Sequence, residues 1–325
     1  LISNYFNKIT NDDFPKRKIL SLNLVEKLRY GENPHQRSAI YSISNSLGLT
    51  KLHGKQLSYN NINDIFSALN ISKSHPKNIG VTIVKHANPC GVSIIKDKLK
   101  CYESALACDP ISAFGGIVSC NFKINSNLAN KLSSTFFEVI IANGFEKNAL
   151  KILKNKKNVR LIDANNFTLN ENYKINSYND KFLFQNEDRI QFKSKNFKVV
   201  SKNKPSTLQM KNLIFAFNVC RYVKSNAIVL AHNEATVGIG SGQPSRLDSC
   251  QIAVRKMRRF VNPTNGIVAA SDAFFPFVDG LEKLIQSGVS AVIQPSGSIR
   301  DKEIIKFANK TGTVLVFSKT RHFRH

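Results

Sequence analysis

The stretch Val81-Thr82-Ile83-Val84-Lys85-His86-Ala87-Asn88-Pro89-Cys90-Gly91 sets a short, β-branched apolar run against a polar turn. The run reads as a buried strand, and polar side chains that follow such a strand emerge outside its carboxyl end, where layered α/β sheets bind ligands. Working outward, the same texture recurs. Strands are expected at 139–142, 227–231, 236–239, 267–270, 291–294 and 314–317, with amphipathic helices between them. Ile62, Ile65, Phe66 and Leu69 mark one helical stripe; Leu247, Cys250, Val254 and Met257 mark another, capped from Ser245 or Asp248. This alternation predicts an α/β fold.

The two halves echo each other. A strand runs into 85–89 and another into 271–276; later strands end at 142–144 and at 295–297, each before a helix, so a duplicated α/β unit is expected. From about 155 to 206 the sequence turns polar and Asn/Lys-rich, with alternating runs such as 192–200, and ends at Pro205. The division is placed there, with units 22–200 and 201–325.

The 325 residues carry 47 Lys and Arg against 22 Asp and Glu, a net charge of +25. Such a balance attracts anions: nucleic acid, a membrane surface, or small phosphorylated and carboxylated substrates. Basic runs at 147–160 and 255–259 fall on or beside helical patterns, and the Lys/Asn bias persists in loops, which fits a solvated surface of biased composition better than a nucleic-acid track. No stretch approaches the ~18 consecutive apolar residues of a membrane span. Six cysteines without a CxxC pair argue against a disulfide framework and a zinc knuckle, so a reducing, cytoplasmic setting is expected. The amino end, LISNYFNKITNDDF, reads as a cut into a longer chain rather than a signal peptide.

His86 can serve as a general base near neutral pH, and the adjacent Lys85 ammonium can stabilise a developing oxyanion. The same heptapeptide also fits a structural His beside a surface Lys. A zinc-deaminase reading fails, because Asn88 stands where the acid/base Glu is required and no second Cys follows Cys90 at the required spacing. Arg29 and Tyr30, in Leu28-Arg29-Tyr30-Gly31-Glu32-Asn33-Pro34-His35-Gln36, suit an anion or a plain surface turn. Gly115 and Gly116 precede a strand, where a ligand or a tight turn would call for glycine. Gly238-Ile239-Gly240-Ser241-Gly242-Gln243-Pro244-Ser245-Arg246 departs from a dinucleotide loop at Gln243 and reads as a glycine-rich turn offering N–H groups and Arg246 to a phosphate or carboxylate. Phe274, Phe275 and Phe277 beside Asp279 fit an aromatic slot or core packing.

LRYGENPHQ, GKQLSYNNIND, VKHANPCGV, DPISAFGGIV, VKSNAIVLA, VGIGSGQPSR, SDAFFPF, QPSGSIRDKE and RHFRH follow in order from residue 28 to the last. Together they resemble the formyltransferase domain of the bifunctional family AICAR formyltransferase / IMP cyclohydrolase of purine biosynthesis, AICAR being 5-aminoimidazole-4-carboxamide ribonucleotide. The stretch 155–202 has no distinctive match. Pro244 replaces the Met or Gln usual before the Ser-Arg pair, and Phe217 stands where bacterial members often carry Trp.

The resemblance implies two duplicated cytidine-deaminase-like three-layer α/β/α units without zinc, with residues 1–21 a connecting segment from an absent cyclohydrolase domain. It implies formyl transfer from 10-formyltetrahydrofolate, the co-substrate, to the 5-amino group of AICAR, with no metal needed for the chemistry. It further implies a homodimer with active sites at its interface, and neither a specific nucleic-acid partner nor a membrane. His86, Lys85 and Asn226 would be catalytic. Arg29, Tyr30, Gly115, Glu138, Arg246, Phe274 and Arg321 would hold AICAR. Leu247, Asp279, Ser298 and Ile299 would meet the folate.

Overall fold

The computed structural model describes residues 14–44, 46–169 and 173–325; the first thirteen residues of the expected connecting segment lie outside them. The strands of the first half are β1 (Asn23–Lys27), β2 (Ala39–Ser42), β3 (Thr50–His53), β4 (Val81–Lys85), β5 (Asn88–Ser93), β6 (Ile117–Cys120), β7 (Val139–Ala142) and β8 (Arg160–Asp163). Then come β9 (Tyr173–Tyr178), β10 (Lys181–Asn186), β11 (Phe197–Val199), β12 (Ile228–His232), β13 (Ala235–Gly240), β14 (Ile267–Ser271), β15 (Val289–Pro295) and β16 (Val314–Ser318). The helices among the described residues are α1 (Tyr59–Lys73), α2 (Lys98–Cys108), α3 (Pro110–Ala113), α4 (Ser126–Ser133), α5 (Lys147–Lys154), α6 (Thr207–Cys220), α7 (Arg246–Phe260), α8 (Val278–Ile285) and α9 (Asp301–Lys310).

Twelve strands form one mixed sheet in the order β11-β16-β15-β14-β12-β13-β5-β4-β6-β7-β8-β3. Read outward from its centre, each side runs alike: an antiparallel hairpin, an antiparallel neighbour, two parallel strands, and a short antiparallel edge strand. The α/β expectation is met. All seven strands anticipated from apolar runs are present, within a residue or two of the expected ends.

Period-two alternation decides which layer each side chain enters. On β14, Val268 and Ala270 join a core under α1 and α6, while Ile267 and Ala269 join one under α7, α8 and α9. The first half's other face packs on α2, α4 and α5. Helices therefore cover both sheet faces. Serines start the two central helices in the same way: Ser58 and Ser206 each form a capping box, with Asn61 and Gln209. Ser245, rather than Asp248, caps α7.

The halves meet at β5 and β13, registered by Ala235 opposite Ser93. There the Thr236 hydroxyl receives the Val92 N–H at 2.9 Å and donates to the Val92 carbonyl at 3.2 Å, so a side chain satisfies backbone where the ladder stops.

Three sequence expectations change. First, Asn88–Ser93 is a strand, so Lys85–Gly91 is a hairpin. Its turn counterpart in strand order is His232-Asn233-Glu234, not 271–276. Second, Lys85 ends β4 but lies beside the start of β6, because the two are antiparallel; the site is thus at the amino ends of the parallel strands β6 and β7. Third, Gly238 and Gly240 lie inside β13 and face α7. A Cβ on Gly240 would sit 1.9 Å from the Ser249 carbonyl oxygen, as one on Gly91 would from that of Ala105. Only Gly242, at φ +69°, is a turn glycine of that loop. Gly91→Ala is expected to cost about 3 kcal/mol or more, because backbone cannot yield as a side chain can; a denaturation midpoint unchanged from wild type would refute this close approach.

Candidate active site

His86 and Ala87 form the two-residue turn between β4 and β5, at φ +53° and +57°, a conformation costly without glycine. Asp64 of α1 steadies it. One carboxylate oxygen accepts the His86 N–H at 3.0 Å and the other the Ala87 N–H at 2.7 Å. Burial raises the Asp64 carboxyl above its ordinary value, opposed by those two hydrogen bonds. The His86 side chain is exposed beyond the sheet. Lys85 donates to the Phe114 carbonyl at 2.8 Å, and its ammonium lies near Gly115, whose positive φ of +73° favours glycine. Gly116 is glycine for another reason: a Cβ there would meet the Val84 carbonyl at 2.8 Å. Among the described residues no carboxylate pairs with Lys85, leaving a positive charge beside an open hollow.

Asn88 ties this hairpin to the second half. Its Oδ1 accepts the Lys224 N–H at 3.1 Å, while its Nδ2 donates to the His86 carbonyl at 3.2 Å. Two residues on, Asn226 donates both amide protons to the Gln243 and Pro244 carbonyls, at 2.9 and 2.8 Å, and accepts from Arg246 Nη2 at 2.7 Å. Arg246 Nη1 reaches Ser271 Oγ at 2.8 Å and pairs with Asp272, whose side chain is 0% exposed against 9% for the arginine. Asp272 also accepts from Ser225 Oγ at 2.6 Å. Lys85, His86 and Asn226 thus belong to one region, connected through Asn88 and Lys224.

A hollow of about 300 Å³ opens on this region, lined by Lys85, His86 and Cys90 from the first half and Ile239, Ser241 and Lys256 from the second. Burial pushes the Cys90 thiol up to about 12, so it is a neutral wall rather than a nucleophile. Lys256 pairs with Asp109 at 2.7 Å. Burial alone would raise Asp109, but Lys256 and the hydrogen bonds at Ser112 outweigh it and hold the carboxyl below the usual carboxylate range. A carboxyl depressed in the folded state stabilises above its unfolded pKa and loses that contribution as pH falls through the folded value. Lys256→Met is therefore expected to cost about 1–3 kcal/mol near neutrality, with the deficit shrinking in acid as Asp109, left to its burial in the variant, takes up a proton. A deficit independent of pH in urea titrations would show that the pair is not its source.

Asp64 and Lys256 went unremarked in the sequence: one lay inside GKQLSYNNIND and the other inside a basic run. Of the remaining expected residues, Glu138 precedes β7 and accepts from Asn61 Nδ2 of α1 at 2.8 Å. Arg29 lies over the Tyr30 ring at 5.2 Å. Their loop is tied to the first turn of α1 by Asn60, which donates to the Glu32 carbonyl at 3.1 Å. The carboxyl terminus is pinned rather than frayed: His322 is buried against Phe192 and Phe217, pairs with Asp188, and donates its N–H to the Asp272 carbonyl at 2.9 Å. This leaves Arg321 exposed, 4.8 Å from the Phe323 ring. Phe274 and Asp279 are exposed after β14, Leu247 is half-buried in the first turn of α7, and Ser298 and Ile299 lie after β15. Among the described residues, the Asp279 side chain accepts only from Gly280, its neighbour in α8, and that of Ser298 only from Arg300, so the structure does not join them to Lys85.

Residues 1–256 match the model of the family described as AICARFT/IMPCHase bienzyme. The chain is 41% identical over its full length to the bifunctional purine biosynthesis protein PurH of Aquifex aeolicus and 43% identical to that of Bradyrhizobium diazoefficiens, in each case covering 64% of the relative. PurH of Caulobacter vibrioides is 41% identical, with 63% of its length covered. The chain thus spans a little under two thirds of the curated relatives it matches. The family model covers the first half of the sheet and the second as far as α7, the relatives cover the whole chain, and the chain belongs to the AICARFT/IMPCHase bienzyme family.

Proposed function

We propose that this chain is the formyltransferase part of that bienzyme and moves the formyl group of 10-formyltetrahydrofolate to the 5-amino group of AICAR, in purine biosynthesis. The observation that carries the reading is the Lys85–His86 pair: an ammonium with no carboxylate partner among the described residues, beside an imidazole exposed on a braced turn, at a hollow lined by both halves.

The acceptor amine is a poor nucleophile, because its lone pair is delocalised into the imidazole ring and carboxamide. His86 takes its proton, directly or through the carboxamide, as nitrogen attacks the formyl carbon. Lys85 stabilises the tetrahedral oxyanion. The C–N10 bond then breaks, and the folate nitrogen leaves with a proton from Lys85 or from the protonated His86. Both Asn226 amide protons are engaged, so its part is to accept a carboxamide N–H on the remaining lone pair of Oδ1. Arg29, Tyr30 and Arg321 hold the phosphate end of AICAR. Gly115, Glu138, Arg246 and Phe274 line its base and ribose. Leu247, Asp279, Ser298 and Ile299 face the folate, with Asp279 matched to the pterin amino-pyrimidine. We further read the two sheet halves as cytidine-deaminase-like duplicates divided near residue 200, in a homodimer that completes each site.

Tetrahydrofolate release followed spectrophotometrically, with and without AICAR, tests the reading. AICAR-dependent release supports it; a folded dimer that neither releases tetrahydrofolate nor binds AICAR in calorimetry defeats it. A second reading, nucleic-acid binding, draws on the +25 charge and on a hollow of about 480 Å³ lined by Arg255, Arg258, Arg259 and Lys283. It requires tight, strongly salt-dependent binding that survives Lys85→Ala and His86→Ala, and weak binding lost at moderate salt excludes it.

A further inference from the structure

We propose that Asp64 is a positioning residue for this transfer: by receiving the N–H groups of both His86 and Ala87 it fixes the hairpin turn and hence the direction in which the His86 imidazole leaves the sheet. The inference rests on the formyl-transfer reading. Neither turn residue is glycine, and both occupy the left-handed region, at φ +53° and +57°. L-residues do not hold that conformation unaided, and here each oxygen of one carboxylate binds one turn amide, at 3.0 and 2.7 Å.

The second half supplies an internal comparison. Its equivalent hairpin turns at Asn233 and Glu234, also left-handed, at φ +46° and +59°. The residue beneath it is Asn212 of α6, six past the capping Ser206, just as Asp64 is six past Ser58. Asn212 is buried, and its single carbonyl oxygen takes the Glu234 N–H at 2.8 Å. One neutral acceptor thus suffices where the turn carries no proposed chemistry. Beneath the turn that presents His86 stands a charged acceptor with two oxygens, each used.

Asp64→Asn converts the first brace into the second. In the full chain, amide hydrogen exchange at positions 86 and 87 is expected to quicken at least about tenfold. kcat for AICAR-dependent tetrahydrofolate release should fall about 10- to 100-fold, the usual loss for a misplaced catalytic group, while the AICAR Kd from calorimetry changes less than about threefold. Ala87→Gly alone should leave kcat near wild type. In the Asp64→Asn/Ala87→Gly double variant, a residue that adopts the left-handed region without steric cost should restore most of the lost rate. A purely structural role would weaken AICAR binding and thermal stability together and would not respond to glycine at 87. Unchanged exchange and kcat in Asp64→Asn, or a rate loss that Ala87→Gly does not repair, would overturn the proposal. If wild type itself releases no tetrahydrofolate, the transfer reading fails separately, and exchange at 86 and 87 still decides whether Asp64 holds the turn.

Discussion

His86→Ala is expected to lower AICAR-dependent tetrahydrofolate release by about two to four orders of magnitude, the ordinary contribution of general acid–base catalysis, with little change in AICAR affinity. The split follows from where the side chain lies. It is exposed at a turn whose conformation depends on backbone contacts to Asp64, so truncating the imidazole leaves the hydrogen bonds that hold the turn in place. Binding of AICAR is assigned to other residues, so Kd should move less than about threefold while kcat collapses. Near-normal turnover in this variant would mean that another group takes the proton.

Arg246→Ala should produce the largest loss of stability, about 3–5 kcal/mol, because it strands a buried carboxylate. Asp272 is fully enclosed and would keep only the Ser225 hydroxyl at 2.6 Å as a side-chain partner. The damage should spread. Asn226 loses the donor on its Oδ1, and the Asp272 carbonyl holds the carboxyl-terminal segment through His322 N–H. Adding Asp272→Asn removes the stranded charge and should recover part of the stability without recovering transfer. The readouts are urea midpoints for both variants and the tetrahydrofolate assay; an Arg246→Ala midpoint within experimental scatter of wild type would show the pair to be dispensable.

Much of the sheet was legible from sequence because its central strands are short runs buried on both faces, β-branched throughout in Val81-Thr82-Ile83-Val84. β5 was not, since Asn-Pro-Cys-Gly carries the marks of a loop; Pro89 and Gly91 nevertheless sit in a strand, Gly91 because α2 presses its Ala105 carbonyl against it. The turn at His86 and Ala87 has no glycine to announce it, and what holds it is a carboxylate 22 residues upstream, a non-local cause that no window over 85–91 contains. The matching of 85–89 with 271–276 failed for the same reason: it paired strand ends by texture, whereas the sheet pairs hairpin with hairpin. In the candidate site, Lys85, His86 and Asn226 were singled out together by resemblance rather than by spacing, since the link that joins them, Asn88 to the Lys224 N–H, spans 136 residues. Lys256 could not be singled out from Arg255, Arg258 and Arg259, because only the sheet's position beneath α7 decides which cation of that run turns toward Asp109.

The two outermost strands carry a consequence for solubility. An open sheet of twelve strands offers two flanks on which other chains could add by backbone pairing, the usual route to ordered aggregates. Here each flank is closed by a very short strand laid antiparallel to its neighbour, Thr50–His53 at one side and Phe197–Val199 at the other, and each contains a lysine, Lys51 and Lys198. A stray strand would find only three or four residues to pair with and a positive charge among them, so polymerisation is resisted at the flanks themselves.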